Sequence, residues 1–175
     1  MTIRWQYFPQ YAAIPQHLML TVRSFQQASD TIETPTNQLS SNQVLSEVAD
    51  GLEEAGYIVE RGKTKSQKIS RPVLYGKDGK VDKQFEVDAW HEETGSIIEV
   101  EAGRGVVNHQ FLKDFFEACV IQDANYLTIA VCQGYQPESY KSPANDFETV
   151  TTFFETIYAS RRLAIPLKGI LIIGY

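Results

Sequence analysis

The stretch FEVDAWHEETGSIIEVEAG, residues 85–103, holds two strand-like runs joined by a short polar turn. Strand side chains alternate faces with a period of two, so Glu86, Asp88 and Trp90 share one face of the first run. On the second run Ile97, Glu99 and Glu101 share a face, while Ile98 and Val100 take the other. Paired as a hairpin, the runs bring Asp88, Glu99 and Glu101 toward one end of a sheet whose opposite side is apolar. Acidic side chains are rarely buried unless paired or metal-bound, and the pattern therefore points to a divalent cation. The same spacing also fits an exposed sheet face with scattered acids.

Working outward, the run NQVLSEVADGLEEAG follows Ser40 and Ser41, either of which is a fit N-cap. Val44, Leu45, Val48, Leu52 and Ala55 recur at helical spacing, and Gly56 is placed to end the helix. Glu47 lies on the flank of that stripe, a place from which a glutamate can reach over the sheet edge or simply stand exposed on the helix. YIVER (57–61) reads as a short strand and residues 72–75 as an extended piece. Gly76-Lys77-Asp78-Gly79 is a turn signal, leading into a strand over 84–91. After the turn at 92–95 a strand spans 96–102, and Gly103-Arg104-Gly105 breaks it. A helix is expected over 106–123, a strand buried on both faces at 126–132 and a loop at 134–143. A helix over about 145–163 and a strand over 167–173 complete the pattern. Residues 1–37 are less legible. Trp5, Tyr7, Phe8 and Tyr11 suit a sheet edge or a homodimer interface, HLMLTV (17–22) suits a strand, and 24–32 a short helix.

At 175 residues, with 43% hydrophobic and 22% charged content, the composition is that of a globular protein. No apolar run approaches the ~20 residues needed to span a bilayer. The opening MTIRWQYFPQYAAIP has no cleavable leader pattern, and Cys119 and Cys132 read as free thiols, so the expected location is cytoplasmic. His17, His91 and His109 are too dispersed in sequence to suggest a histidine site. Neither a phosphate-binding GxxxxGK[ST] loop nor a nucleophile elbow is present. The net charge of −6 argues against a general nucleic-acid binder, yet eight of the 16 basic residues fall between Arg61 and Lys83. Cations beside an acidic cluster suit a phosphodiester, with Lys63, Lys65, Lys68 and Arg71 the candidates for gripping phosphates.

The order of elements, with Asp88 and a Glu99-x-Glu101 pair on successive strands, resembles the restriction-endonuclease-like superfamily of metal-dependent nucleases, known for its PD-(D/E)xK motif. The resemblance covers residues 40–132. It implies an α/β fold with a mixed central sheet and a core of helix, three mostly antiparallel strands, helix, and a fourth strand beside the first. A C-terminal helix and strand are added to that core. One domain is expected, with an N-terminal extension (1–37), a core (38–132) and a C-terminal part (133–175). The resemblance also implies that Asp88 and Glu99 hold Mg²⁺ or Mn²⁺ with the Val100 carbonyl, and that DNA is the partner. Glu101 would accept a proton or bind a second metal, and Glu47 would complete the site. Two departures stand out: no Pro precedes Asp88, and Glu101 occupies the lysine position, as in a Glu-x-Glu variant of some restriction enzymes. Lys113, on the following helix, is the candidate for a relocated lysine. Ser66, Gln67 and Asn108 are candidates for reading bases. A catalytically idle member of the same fold, binding nucleic acid or protein, is the alternative. An unrelated α/β domain with surface acids is a third reading.

Overall fold

Six strands form one mixed sheet with helices on both faces in a computed structural model that describes residues 2–34, 36–62, 64, 66–103, 105–134 and 145–175. Lys63, Lys65 and nearly all of the expected 134–143 loop lie outside the described residues. In chain order the elements are β1 (Arg4–Phe8), α1 (Gln16–Gln27), α2 (Ser29–Ile32), α3 (Ser41–Glu54) and β2 (Ile58–Val59). Then come β3 (Ile69–Tyr75), β4 (Val81–Val87), β5 (Ala89–His91) and β6 (Ser96–Glu101). The chain continues through α4 (Gln110–Val120), β7 (Tyr126–Val131), α5 (Asp146–Ser160) and β8 (Gly169–Gly174). The sheet order is β1-β8-β7-β6-β5-β2, and β3 and β4 pair separately as a two-stranded arm.

Strands β6, β7 and β8 run parallel, linked by α4 and α5, whose apolar sides pack on one face of the sheet. Such crossovers bury both faces of the strands they join, which explains the nearly continuous apolar runs of β7 and β8. The other face is covered by α1, α2 and α3 through Leu18, Val22, Ile32, Val44, Val48 and Leu52. Helix α3 starts at a Ser40–Gln43 capping box, in which the Ser40 N–H donates to Gln43 Oε1 at 2.9 Å. Gly56 ends it at φ +95°, a left-handed conformation that a side chain resists.

Four expectations change. The fourth core strand, β7, lies beside the third (β6) and not beside the first, β2, which forms the sheet edge. The run HLMLTV is helical, because it continues into Arg23–Gln27 and turns Leu18, Thr21, Val22 and Phe25 inward at helical spacing. Arg4–Phe8 supplies an antiparallel edge strand on β8. Part of the stretch read as an extension therefore belongs to the same sheet, and its helices α1 and α2 pack on that sheet. Finally, the single strand expected at 84–91 divides at Asp88. Before it, β4 leaves to pair with β3; after it, β5 pairs with β2 and β6.

Candidate acidic site on the α4 face of the sheet

Register puts the acids in line. Val59 faces Ala89, and Ala89 faces Ile98. One step further, Glu60, Asp88 and Glu99 stand abreast across three neighbouring strands, a row supported by the Glu60 N–H donating to the Asp88 carbonyl at 2.8 Å. Directly opposed residues share a face. Trp90 and Ile97, two residues away on the same face, belong to the core under α4 and α5, whereas Ala89, Ile98 and Val100 belong to the core under α3. The acids therefore point toward α4. Glu101 follows two residues on, and α4 brings Asp114 down to it.

Asp88 breaks the strand by competing for its neighbour's backbone. The Val100 N–H donates to Asp88 Oδ2 at 2.8 Å. That bond and Lys68 favour the carboxylate form of Asp88. Burial, with the charges of Glu60 and Asp114, outweighs them and pushes Asp88 up to about 6. Burial raises Glu99 well above the usual carboxylate range, assisted by Asp88 and Asp114 and opposed by Lys113. Burial also raises Glu101, against a hydrogen bond it shares with Asp114. Asp114 is pushed up to about 8, by burial first and then by the Glu101 charge. Like-charged carboxyls in a dry place cannot all ionise without a counter-charge.

Two lysines border the cluster. Lys68 Nζ lies 2.8 Å from Glu60 Oε1 and 3.5 Å from Glu86 Oε2. Lys113 Nζ lies 3.2 Å from Glu117 Oε2 and 3.9 Å from Asp114 Oδ1, with its side chain 60% exposed. Arg71 is engaged elsewhere. It stacks on Trp90, 4.0 Å from the ring centroid, and pairs with Asp123 at 3.3 Å and Glu92 at 3.6 Å. Glu47 does not join the acids. It is exposed on α3, on the other side of the sheet, in a groove shared with Ser24, Gln27 and Thr31 of α1 and α2. Ser66, Gln67 and Asn108 are exposed, and Gln67 is tied to Thr64 at 2.6 Å.

Sequence reasoning missed Glu60 and Asp114. Glu60 needed the pairing of β2 with β5. Asp114 stands three residues after Phe111 and four before Ala118, on the inner stripe of α4, and that spacing was the available signal. The histidines were also misjudged: His17 and His91 meet with ring centroids 6.1 Å apart, beside Tyr57 and Tyr126. They sit on the α1 side of the sheet, away from the acids. Both cysteines are free. A groove of about 470 Å³ lined by Thr34, Ser40, Ala102, Gly103 and Cys132 opens beside α3, not among the acids. No helix among the described residues is long and apolar enough to cross a membrane.

The donor set fits a hard divalent cation: oxygen ligands only, carboxylates facing one another, and Asp114 Oδ2 buried with no hydrogen-bond partner. Among the described residues no group of three or more His, Cys, Asp or Glu side chains is gathered closely enough to hold a metal ion. Magnesium keeps several of its waters, so two protein carboxylates suffice to hold it.

No protein-family model matches the chain, and no curated protein matches it. Among solved structures it is similar to the crystal structure of free BglII, a restriction endonuclease, with a TM-score of 0.51 and 11% identity. The match covers 99% of this chain and 79% of that one. At so low an identity the likeness speaks to architecture alone: a mixed α/β fold of the restriction-endonuclease-like kind.

Proposed function

We propose that the protein is a metal-dependent phosphodiesterase, an endonuclease acting on DNA. The observation that carries this reading is the row Glu60–Asp88–Glu99, continued by Glu101, with Glu60 buried and the other three half-buried, on a sheet of restriction-endonuclease-like architecture. Asp88 and Glu99 hold Mg²⁺ or Mn²⁺. Val100 turns its N–H toward Asp88, and its carbonyl, which in a strand projects to the same side, is the candidate for a further ligand. A cation bound there polarises a phosphoryl oxygen and lowers the pKa of a bound water.

The chain's own residues do the rest. Lys68 neutralises Glu60 and keeps the row from repelling itself apart. Glu101 is the carboxylate positioned to take a proton or a second cation. Lys113, extending from α4 beside these acids, offers a positive charge to the phosphate. Lys77, Lys80 and Lys83 stand exposed on the β3–β4 arm and its turn, where they can meet the phosphate backbone. Cutting both strands of a duplex calls for two sites. A second copy of the chain suits the stripe of Leu112, Phe116 and Val120 on α4, of which Phe116 is 61% exposed.

Purified protein should nick or cut DNA with Mg²⁺ or Mn²⁺. Asp88→Ala or Glu99→Ala should lower the rate by about 10²- to 10³-fold or more while circular dichroism stays unchanged. Equal cutting by wild type and Asp88→Ala assigns the activity to a contaminant and removes the reading. The glutamate at position 101 favours one rival, an idle domain of the same fold. In that case calorimetry should show salt-dependent DNA binding and no Mn²⁺ binding.

A further inference from the structure

We infer that His17 and His91 form a site for a transition cation of the Zn²⁺ kind, on the face of the sheet away from the acids. The inference stands apart from the phosphodiesterase reading and does not depend on it.

Two buried imidazole nitrogens carry it. His17 Nε2 and His91 Nδ1 are both cut off from solvent and have no hydrogen-bond partner among the described residues. His91 as a whole is only 8% exposed. A buried polar atom left unpaired costs stability, and two of them in neighbouring rings call for a common partner. The rings cannot serve each other. A direct N–H···N bond of about 3 Å holds two imidazole centroids within roughly 5.5 Å, and these lie 6.1 Å apart. Two metal–nitrogen bonds of about 2.0–2.1 Å, with the rings they join, span roughly 5–6.5 Å, which takes in the observed separation.

Local structure explains why the two meet. His17 stands in the first turn of α1, and His91 ends β5. Gly56 has no Cβ to collide with His91 Nε2, so that edge of the ring lies against bare backbone and Nδ1 is left for the interior. Tyr57 and Tyr126 set their rings against His91 and His17, with centroids 5.1 Å and 4.8 Å away, and fix both imidazole planes. Burial, aided by His91, lowers the pKa of His17 and so favours the neutral form that a metal requires.

Charge leads a cation there. His91 lines a groove of about 440 Å³ together with Glu54, Glu92 and Glu93. Glu92 is engaged by Trp90 and Arg71, whereas Glu54 and Glu93 stand exposed. Among the described residues no lysine or arginine lines this groove, and the potential at its mouth is negative. Nitrogen donors disfavour Mg²⁺, while imidazole suits zinc, copper and nickel. Two protein ligands, with water or a groove glutamate in the other positions, make a site of modest affinity. It ties α1 to β5, the short strand that begins directly after Asp88.

The test titrates Zn²⁺ into the full, tag-free chain by calorimetry in mildly alkaline buffer, with Mg²⁺ in excess to occupy the acidic face. Wild type should bind one zinc ion. His17→Gln and His91→Gln should each weaken binding at least about 10-fold, the loss that even an outer-shell change brings. Asp88→Asn should bind zinc as wild type does. Circular dichroism checks that the variants fold. Should His91→Gln fail to, the nitrogen-15 resonances of wild type decide: zinc should move those of His17 Nε2 and His91 Nδ1, and unmoved resonances overturn the site. No zinc bound by wild type overturns it and gives the two nitrogens to a bridging water. Zinc retained in both histidine variants, or lost in Asp88→Asn, overturns it too. None of these results bears on the endonuclease reading, which DNA cutting tests separately.

Discussion

The protein half-buries two polar clusters, one on each face of the same sheet, and they solve opposite problems. On the α1 side, His17 and His91 lie against Tyr57 and Tyr126, and Tyr57 accepts a 3.0 Å hydrogen bond from Thr21. Those side chains meet edge to face, an arrangement that suits aromatic rings. On the α4 side the cluster is acids of one sign, whose neutrality needs protons or cations from solution. A neutral buried cluster is compatible with a role in packing. A charged one departs from what packing alone would select, and such departures concentrate at functional sites.

This contrast is broken most directly by pH. Asp88 and Asp114 hold their protons more tightly in the folded chain than in the unfolded one. The folded state therefore binds more protons between about pH 4 and about pH 8, and stability falls as pH rises through that window. In chelator, the melting temperature should drop by about 5–10 °C between pH 5 and pH 8. Mn²⁺ at about 100 times its Kd should return about 2.7 kcal/mol. A melting temperature that climbs across this range without metal contradicts the electrostatics of the acidic face.

Next in size is the pair that steadies the end of the row. Lys68→Ala leaves Glu60 buried without its cation and should cost about 1–3 kcal/mol in urea unfolding. Adding Glu60→Gln should recover much of that loss. Independent, additive effects would mean that the 2.8 Å contact carries no coupling.

The neutral cluster predicts a smaller effect of opposite sign. Burial, helped by His91, lowers the pKa of His17. Its contribution is present above the unfolded value of about 6.5 and is lost as pH falls through the folded one. His17→Phe should therefore lessen acid-side destabilisation relative to wild type, by less than about 1 kcal/mol. A larger acid sensitivity in the variant would show that His17 is not the group responsible. Smallest is Arg71→Ala, which removes the stack on Trp90 and two partly screened ion pairs. About 1 kcal/mol should go from stability, with the salt slope of DNA binding unchanged. A slope reduced by about one would return Arg71 to the phosphate contacts.

What was legible in the sequence was local. A period of two is enough to put Asp88, Glu99 and Glu101 on one side, and a period of 3.6 finds α3 with its cap and glycine stop. What escaped depended on contacts distant in sequence. Glu60 joins the row only because β2 pairs with β5, and His17 meets His91 across 74 residues (91 less 17). HLMLTV misled because six apolar-rich residues fit a strand or a buried helix equally well, and its polar continuation decides between them. The break at Asp88 was hidden because its cause is a side chain taking a backbone donor from the next strand.

That last bond makes one amide a reporter. The Val100 N–H is protected by a carboxylate, where its neighbours in β6 rely on partner strands, so its exchange with deuterium should follow the state of Asp88. Protonation weakens the acceptor and should speed exchange at that residue ahead of Ile97 or Ile98. Following this single proton by nuclear magnetic resonance reads the condition of the acidic face with no substrate added.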